Sequence, residues 1–183
     1  IGGERQPVAV RYALLAPEEG APESAYGFSL GAYDRRHPLT IDPLIQSTYL
    51  GGSASDYVYA LALAADGDVL VGGHALSTDL PSTAGGAQAN HGGGSEDGFV
   101  ARLAGDLTTL RQSTYLGGSH RDEIHALTLA ADGDVLVGGI TDSAELPGTA
   151  GGAQPAFGGG YADGFVARLA GDLTALRQST YLG

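Results

Sequence analysis

The sequence has no cysteine, no methionine and no tryptophan, and all nine of its cations are arginine. Without cysteine there is no disulfide and no thiolate metal site. The core must be built from Ala, Val, Leu, Ile, Tyr and Phe. Positive charge is scarce as well: nine cations stand against 21 acids, a formal net charge of −12. Such a chain repels phosphate backbones, so nucleic acid is not an expected partner. No run of 18 apolar residues occurs, so no membrane span is expected.

What the sequence has in abundance is glycine, 31 residues, and an internal repeat. Gln-Ser-Thr-Tyr-Leu-Gly occurs at Gln46–Gly51, Gln112–Gly117 and Gln178–Gly183, a period of 66. Of the 66 positions from Gln46 to Arg111, 48 carry the same residue in Gln112 to Arg177. A period this long marks an array of supersecondary units. The chain starts without Met and stops six residues into a third copy, so both ends read as cut from a longer parent.

Residues 1–45 lie outside the repeat and read as a β-rich segment, with strands expected over Val8–Leu15, Tyr26–Tyr33 and Leu39–Ile41. Each copy resolves into four strands. The first two, Val58–Ala64 and Val69–Gly73, are joined by Ala65-Asp66-Gly67-Asp68, and Asp-Gly between apolar runs is a hairpin signal. The last two, Phe99–Leu103 and Leu110–Leu116, are joined by a short turn. Between the second and third strands lies a Gly-, Ser- and Ala-rich loop of a length that is usually functional or disordered. The first two strands are nearly all apolar and are expected to be buried on both faces. The fourth carries Arg111, Gln112, Ser113 and Thr114 and reads as a solvated edge. A four-stranded antiparallel sheet graded in this way describes a β-propeller blade. The expected fold is therefore all-β, a partial propeller of two blades and the start of a third over residues 46–183.

The motifs Ser-Thr-Tyr-Leu-Gly-Gly-Ser, Ala-Asp-Gly-Asp-Val-Leu-Val-Gly-Gly, Leu80-Pro81, Gly-Gly-Ala-Gln and Asp97-Gly98-Phe99-Val100-Ala101-Arg102-Leu103 resemble the bacterial seven-bladed β-propeller (SBBP) repeat. The resemblance covers residues 46–183. Gly27 to Asp34 and Pro38 to Pro43 resemble the end of the β-rich domain that commonly precedes such repeats. The family implies large secreted or cell-surface bacterial proteins and no defined reaction.

Eighteen positions differ between the copies, and fourteen fall on the two connections at one end of the unit. They include Ala54/His120, Ser55/Arg121, Tyr57/Glu123, His74/Ile140, Asn90/Ala156, His91/Phe157, Ser95/Tyr161 and Glu96/Ala162. Rigid strands presenting diverged loops are the usual build of a binding face. The candidate contact residues are His74, Asn90, His91, Glu96, His120, Arg121, Phe157 and Tyr161. The tyrosines at 49, 115 and 181 are expected to pack between blades with their hydroxyls wet.

Catalysis is not expected. Gly27-Phe28-Ser29-Leu30-Gly31 matches a nucleophile elbow and His91-Gly92-Gly93-Gly94 an oxyanion loop, but their order is reversed and no helix follows Ser29. The Gly-Gly-Gly-Ser-Glu-Asp stretch lacks the tandem nine-residue spacing of calcium β-rolls. Asp56, Asp97, Asp122 and Asp163 recur at one end of the unit and are candidate Ca²⁺ ligands, set against turn capping by the same carboxylates. No other cofactor is expected. The five histidines, His37, His74, His91, His120 and His125, include no pair at ligand spacing that both copies keep, so zinc is not expected. These residues read as a non-enzymatic binding or adhesion scaffold, extracellular or at the cell surface, whose partner is a protein or glycan. The alternative is a structural protein that self-associates through stacked blades or strand edges.

Overall fold

In the computed structural model, the described residues are 10–15, 25–32, 36 and 47–183. Among them are strands and turns and no helix. The chain divides into two compact units, Ile1–Leu44 and Ile45–Gly183. In the first, β1 (Val10–Leu15) pairs antiparallel with β2 (Ala25–Leu30), which contains Ser29. The third strand expected at 39–41, and His37, lie outside the described residues.

The second unit holds two four-stranded antiparallel sheets, one per repeat. The first runs β3 (Asp56–Leu63), β4 (Val69–Ala75), β5 (Asp97–Leu103) and β6 (Leu110–Leu116), with neighbours in chain order. The second repeats it with β7 (Asp122–Leu129), β8 (Val135–Thr141), β9 (Asp163–Leu169) and β10 (Leu176–Leu182). The Asp-Gly turn closes as expected: Gly67 N–H donates to the Ala64 carbonyl at 2.9 Å, and the Asp66 carboxylate accepts from Asp68 N–H at 3.1 Å. Pairing slips by one residue at Tyr59 and again at His125, a β-bulge in each first strand. The bulge brings the Tyr57 and Glu123 carbonyls onto Gly73 and Gly139, where a Cβ would collide with them. The second glycine of each Val-Gly-Gly is therefore a requirement of the bulge.

The two faces of each sheet have separate cores. On one face of the first sheet Val69, Val71, Phe99, Ala101, Leu103 and Tyr115 are buried together. On the other, Leu70, Val100 and Leu116 pack against Ile124, Val135, Val137 and Phe165 of the second sheet. The alternation along β4 and β5 thus serves two cores. Burying Ile124 fully contributes about 1.5–3 kcal/mol.

The expected burial holds for β4, which is buried along its whole length, and fails for the two outer strands. β3 is the exposed strand, with Tyr57, Val58, Tyr59, Leu61 and Leu63 open to solvent. The last residues of β6, Ser113 to Leu116, are buried. The cause is the long loop between β4 and β5, which covers the β6 edge. Ser113 N–H donates to the Ser82 carbonyl at 2.9 Å and Tyr115 N–H to the Gln88 carbonyl at 3.0 Å. Thr114 Oγ1 accepts from Gln88 N–H at 2.8 Å. The second sheet repeats all three contacts with Gly148, Gln154 and Thr180. Gln112 and Thr114 bond the loop through their side chains and Ser113 through its backbone N–H, so the strand is no longer a free edge. The tyrosine hydroxyls are dry as well. Tyr115 Oη donates to the Ser77 carbonyl at 2.8 Å and accepts from Leu80 N–H at 2.9 Å, and Tyr181 does the same with Ser143 and Leu146. Tyr49, at the start of the unit, is exposed.

Candidate functional site at the seam between the sheets

His74 is the penultimate residue of β4, and Glu96 immediately precedes β5, so both stand at the loop end of the first sheet. Arg121 precedes β7, and Glu123 and His125 lie on it, where the second sheet meets the first. The seam brings all five together. Arg121 Nε donates to Glu96 Oε1 at 2.8 Å, and its Nη2 donates to Glu123 Oε1. His125 Nε2 stands 2.5 Å from Glu123 Oε2. The His74 ring lies between the carboxylates, with Nε2 3.4 Å from Glu96 Oε2 and Nδ1 3.9 Å from Glu123 Oε2. Tyr57 and Tyr59 stack side by side, and their ring centroids are 4.9 and 5.3 Å from that of His74. Tyr59 meets His125 edge-on at 5.6 Å.

His74 and Glu123 are buried, Glu96 and Arg121 partly so, and His125 and the two tyrosines open outward. Burial alone would raise the Glu123 carboxyl, but the bonds from His125 and Arg121 outweigh it and hold that carboxyl below its ordinary value. The bond from Glu96, ahead of the charge of Glu123, raises the Arg121 guanidinium. Every one of the five polar residues, and both tyrosines, occupies a position where the copies differ. The second copy carries Ile140 and Ala162 in place of His74 and Glu96, and the first carries Ser55, Tyr57 and Tyr59 in place of Arg121, Glu123 and His125. A nearby cleft of about 320 Å³ is lined by Gln88, Gly92, Gly117, Ser119, Glu145 and Leu176 among others. Of its lining residues only Glu145 differs between copies, so that cleft belongs to the scaffold.

Of the eight contact residues expected from sequence, His74, Glu96 and Arg121 converge here. Glu123 and His125 complete the cluster. Both stand at positions where the copies differ, but nothing in the spacing ties residues of one copy to residues of the next. Asn90, His120 and Tyr161 are exposed at the loop end, apart from the cluster. His120 Nδ1 is 2.9 Å from Ser119 Oγ. His91 and Phe157 are packing residues. Each meets the edge of a buried tyrosine, His91 on Tyr115 at 5.5 Å and Phe157 on Tyr181 at 5.9 Å. A ring at this loop position covers the tyrosine below it, which is why an imidazole and a phenyl interchange.

The four recurring aspartates each bond the backbone of their own loops. Asp56 accepts from Gly52 N–H at 2.8 Å, and its other oxygen accepts from Ser77 N–H at 3.2 Å. Asp122 accepts from Gly118 N–H at 2.7 Å and Ser143 Oγ at 2.9 Å. Asp97 accepts from Gly92 N–H at 2.5 Å, and Asp163 from Gly158 N–H at 2.6 Å. Asp56 and Asp97 share a row of the first sheet with Ala75 between them, so they stand about two strand spacings apart. Asp97 instead approaches Asp122 of the next copy across Gly117. Burial above all, with the Asp122 charge adding to it, pushes the Asp97 carboxyl up to about 6 despite the pull of Gly92 N–H and His91. Among the described residues, one group brings three ligand-type side chains together, and it is His74, Glu96 and Glu123. No family model and no curated protein matches this chain.

Proposed function

We propose that the two sheets are blades of a propeller-type repeat array and that the chain is a non-enzymatic binding scaffold of a secreted or cell-surface protein. The seam cluster with Tyr57 and Tyr59 is its contact face. One observation carries this reading. The copies are identical at 48 of 66 positions, yet all seven side chains of this cluster lie among the positions that differ. Two stacked aromatic rings beside an acidic and basic rim suit a glycan or a polar protein surface. The test uses variants the scaffold already tolerates, since each residue can be replaced by its counterpart in the other copy. Wild-type chain and the His74→Ile, Glu96→Ala, Arg121→Ser triple variant are applied to arrays of glycans and immobilised extracellular proteins. Binding by wild type that the variant loses supports the reading. Equal signals from both would remove the seam as the contact face.

A second reading, self-assembly, has its own observation. Ile124 is fully buried against the first sheet, while its counterpart Val58 is 47% exposed. Leu61 and Leu63 are likewise exposed where Leu127 and Leu129 pack on the first sheet. At the far side Val100 is covered, and its counterpart Val166 is 39% exposed beside Leu136 and Gly138. One end of the unit thus carries the knobs and the other the groove of the contact already made inside it. A second copy of this chain fits head to tail, a heterologous contact that propagates. The β6 and β10 edges are covered by loops and are closed to an incoming strand. Light scattering against concentration tests this: growth of oligomers that Leu61→Asp and Val166→Asp each abolish supports it, and a monomer at all concentrations ends it.

A further inference from the structure

We propose that His74, Glu96 and Glu123 bind a divalent transition-metal ion of the zinc class at the seam, joining the two sheets. This goes beyond the binding reading above and does not depend on it. The three side chains present one ligand atom each, and these atoms all lie within 4.8 Å of one another. His74 nitrogens stand 3.4 and 3.9 Å from the two carboxylate Oε2 atoms. Ligands about 2.1 Å from a tetrahedral zinc are separated by roughly 3.4 Å, so the three atoms, now up to 4.8 Å apart, draw together by about 1.4 Å at most to share one ion.

An independent observation points to a missing partner. The His74 side chain is 7% exposed, and its Nδ1 faces the cluster with no hydrogen bond. A buried imidazole nitrogen left unpaired is unfavourable unless something accepts from it or coordinates it. The carboxylates are already divided in the way a metal centre divides them. Glu96 Oε1 and Glu123 Oε1 both go to Arg121, and each Oε2 is left turned toward histidine. Outer hydrogen bonds of this kind hold metal-ligating carboxylates in place. His125 Nε2 lies 2.5 Å from Glu123 Oε2 on the open side and holds that carboxylate in place from outside the group of three. Two carboxylates against one guanidinium leave net negative charge for a dication. The imidazole in the set favours zinc-class ions over calcium and magnesium, which take oxygen ligands. The first copy has no equivalent site of its own, because Tyr57 replaces Glu123. The second has none because Ile140 and Ala162 replace His74 and Glu96. One ion per chain is the expected stoichiometry.

The test is equilibrium dialysis of the whole chain against Zn²⁺, with Co²⁺ as the spectroscopic probe. The expected result is one Zn²⁺ bound per chain and visible absorption from tetrahedral Co²⁺ that Zn²⁺ displaces. A rise in melting temperature with Zn²⁺ but not with Ca²⁺ or Mg²⁺ should accompany it. His74→Ile and Glu123→Tyr should abolish all three, and His74→Gln and Glu123→Gln are the milder pair that preserves packing. No bound Zn²⁺, or Zn²⁺ binding that survives both His74→Gln and Glu123→Gln, overturns the proposal. Array binding measured with and without EDTA separates the two claims. Partner binding unaffected by EDTA in a chain that takes up no Zn²⁺ leaves the scaffold reading standing and the metal site refuted.

Discussion

Ile124 rests on the bare backbone of Gly72, with its Cγ2 3.1 Å from where a Cβ would stand. Leu127 Cδ1 is 3.3 Å from the same point. The close approach of the two sheets is set by the absence of that one carbon. At the equivalent Gly138 the nearest atom is the Phe165 carbonyl oxygen at 3.6 Å, an ordinary contact.

Gly72→Ala is therefore expected to destabilise the chain by about 1–3 kcal/mol through overpacking of the seam. Gly138→Ala should leave stability within about 0.5 kcal/mol of wild type. Urea unfolding of both variants checks this. The same Gly138→Ala change should weaken head-to-tail oligomers, since it fills the groove an incoming copy would use, and sedimentation at matched concentration reads that effect separately.

Tyr115 and Tyr181 each close a buried bridge between two backbone groups of the covering loop. Removing the hydroxyl leaves the Leu80 or Leu146 N–H buried without an acceptor. Tyr115→Phe and Tyr181→Phe should each cost about 1–3 kcal/mol. Tyr49→Phe, in the same motif but exposed, should be silent. Denaturant midpoints of the three variants test it. Equal effects at all three would show that the motif itself, rather than the bridge, is what matters.

The strands were legible because hairpin chemistry and alternation are local. Asp-Gly turns and Val-Gly-Gly motifs placed β3 to β10 within a residue or two of their observed ends. The burial gradient was misread because the partner of Gln112, Ser113 and Thr114 is a loop some thirty residues upstream, and polarity alone does not say whether a hydroxyl faces water or a carbonyl. The seam cluster was half legible. Divergence between copies flagged His74, Glu96 and Arg121, but their meeting with Glu123 and His125 depends on how one repeat docks on the next. His91 was flagged on the same ground and proved to be a cover for Tyr115, because packing positions also drift.

Asp68 connects the sequence motif to acid stability. Its Oδ2 accepts from Arg102 Nε and Arg111 Nε, each at 2.8 Å. The Arg102 bond, followed by that from Arg111, holds this carboxyl below its ordinary value. A carboxyl with a depressed folded pKa contributes stability that is present above its unfolded value, near 3.8, and is lost as pH falls through the folded value. Melting temperature should therefore fall with acidification below about pH 4, and Asp68→Asn should be less stable at neutral pH with a shallower acid limb. Parallel limbs for the two proteins would assign acid unfolding to other carboxylates.

Arg102 does more than its repeat counterpart. Both arginines bond the two aspartates of the adjacent turn, Arg102 with Asp66 and Asp68 and Arg168 with Asp132 and Asp134. Arg102 Nη1 also donates at 2.6 Å to the carbonyl of Gly171, in the turn between β9 and β10. Its charge-assisted bond across the seam has no equivalent at Arg168 among the described contacts. Arg102→Ala should thus cost about 1.5–3 kcal/mol, the range for hydrogen bonds to charged groups, and Arg168→Ala clearly less. Arg102→Lys cannot serve both the aspartates and Gly171 with one ammonium, so it should recover only part of the loss. Matched losses for the two alanine variants, measured by thermal unfolding, would mean that the bond to Gly171 adds nothing to the seam and that the shared apolar core holds the sheets together without it.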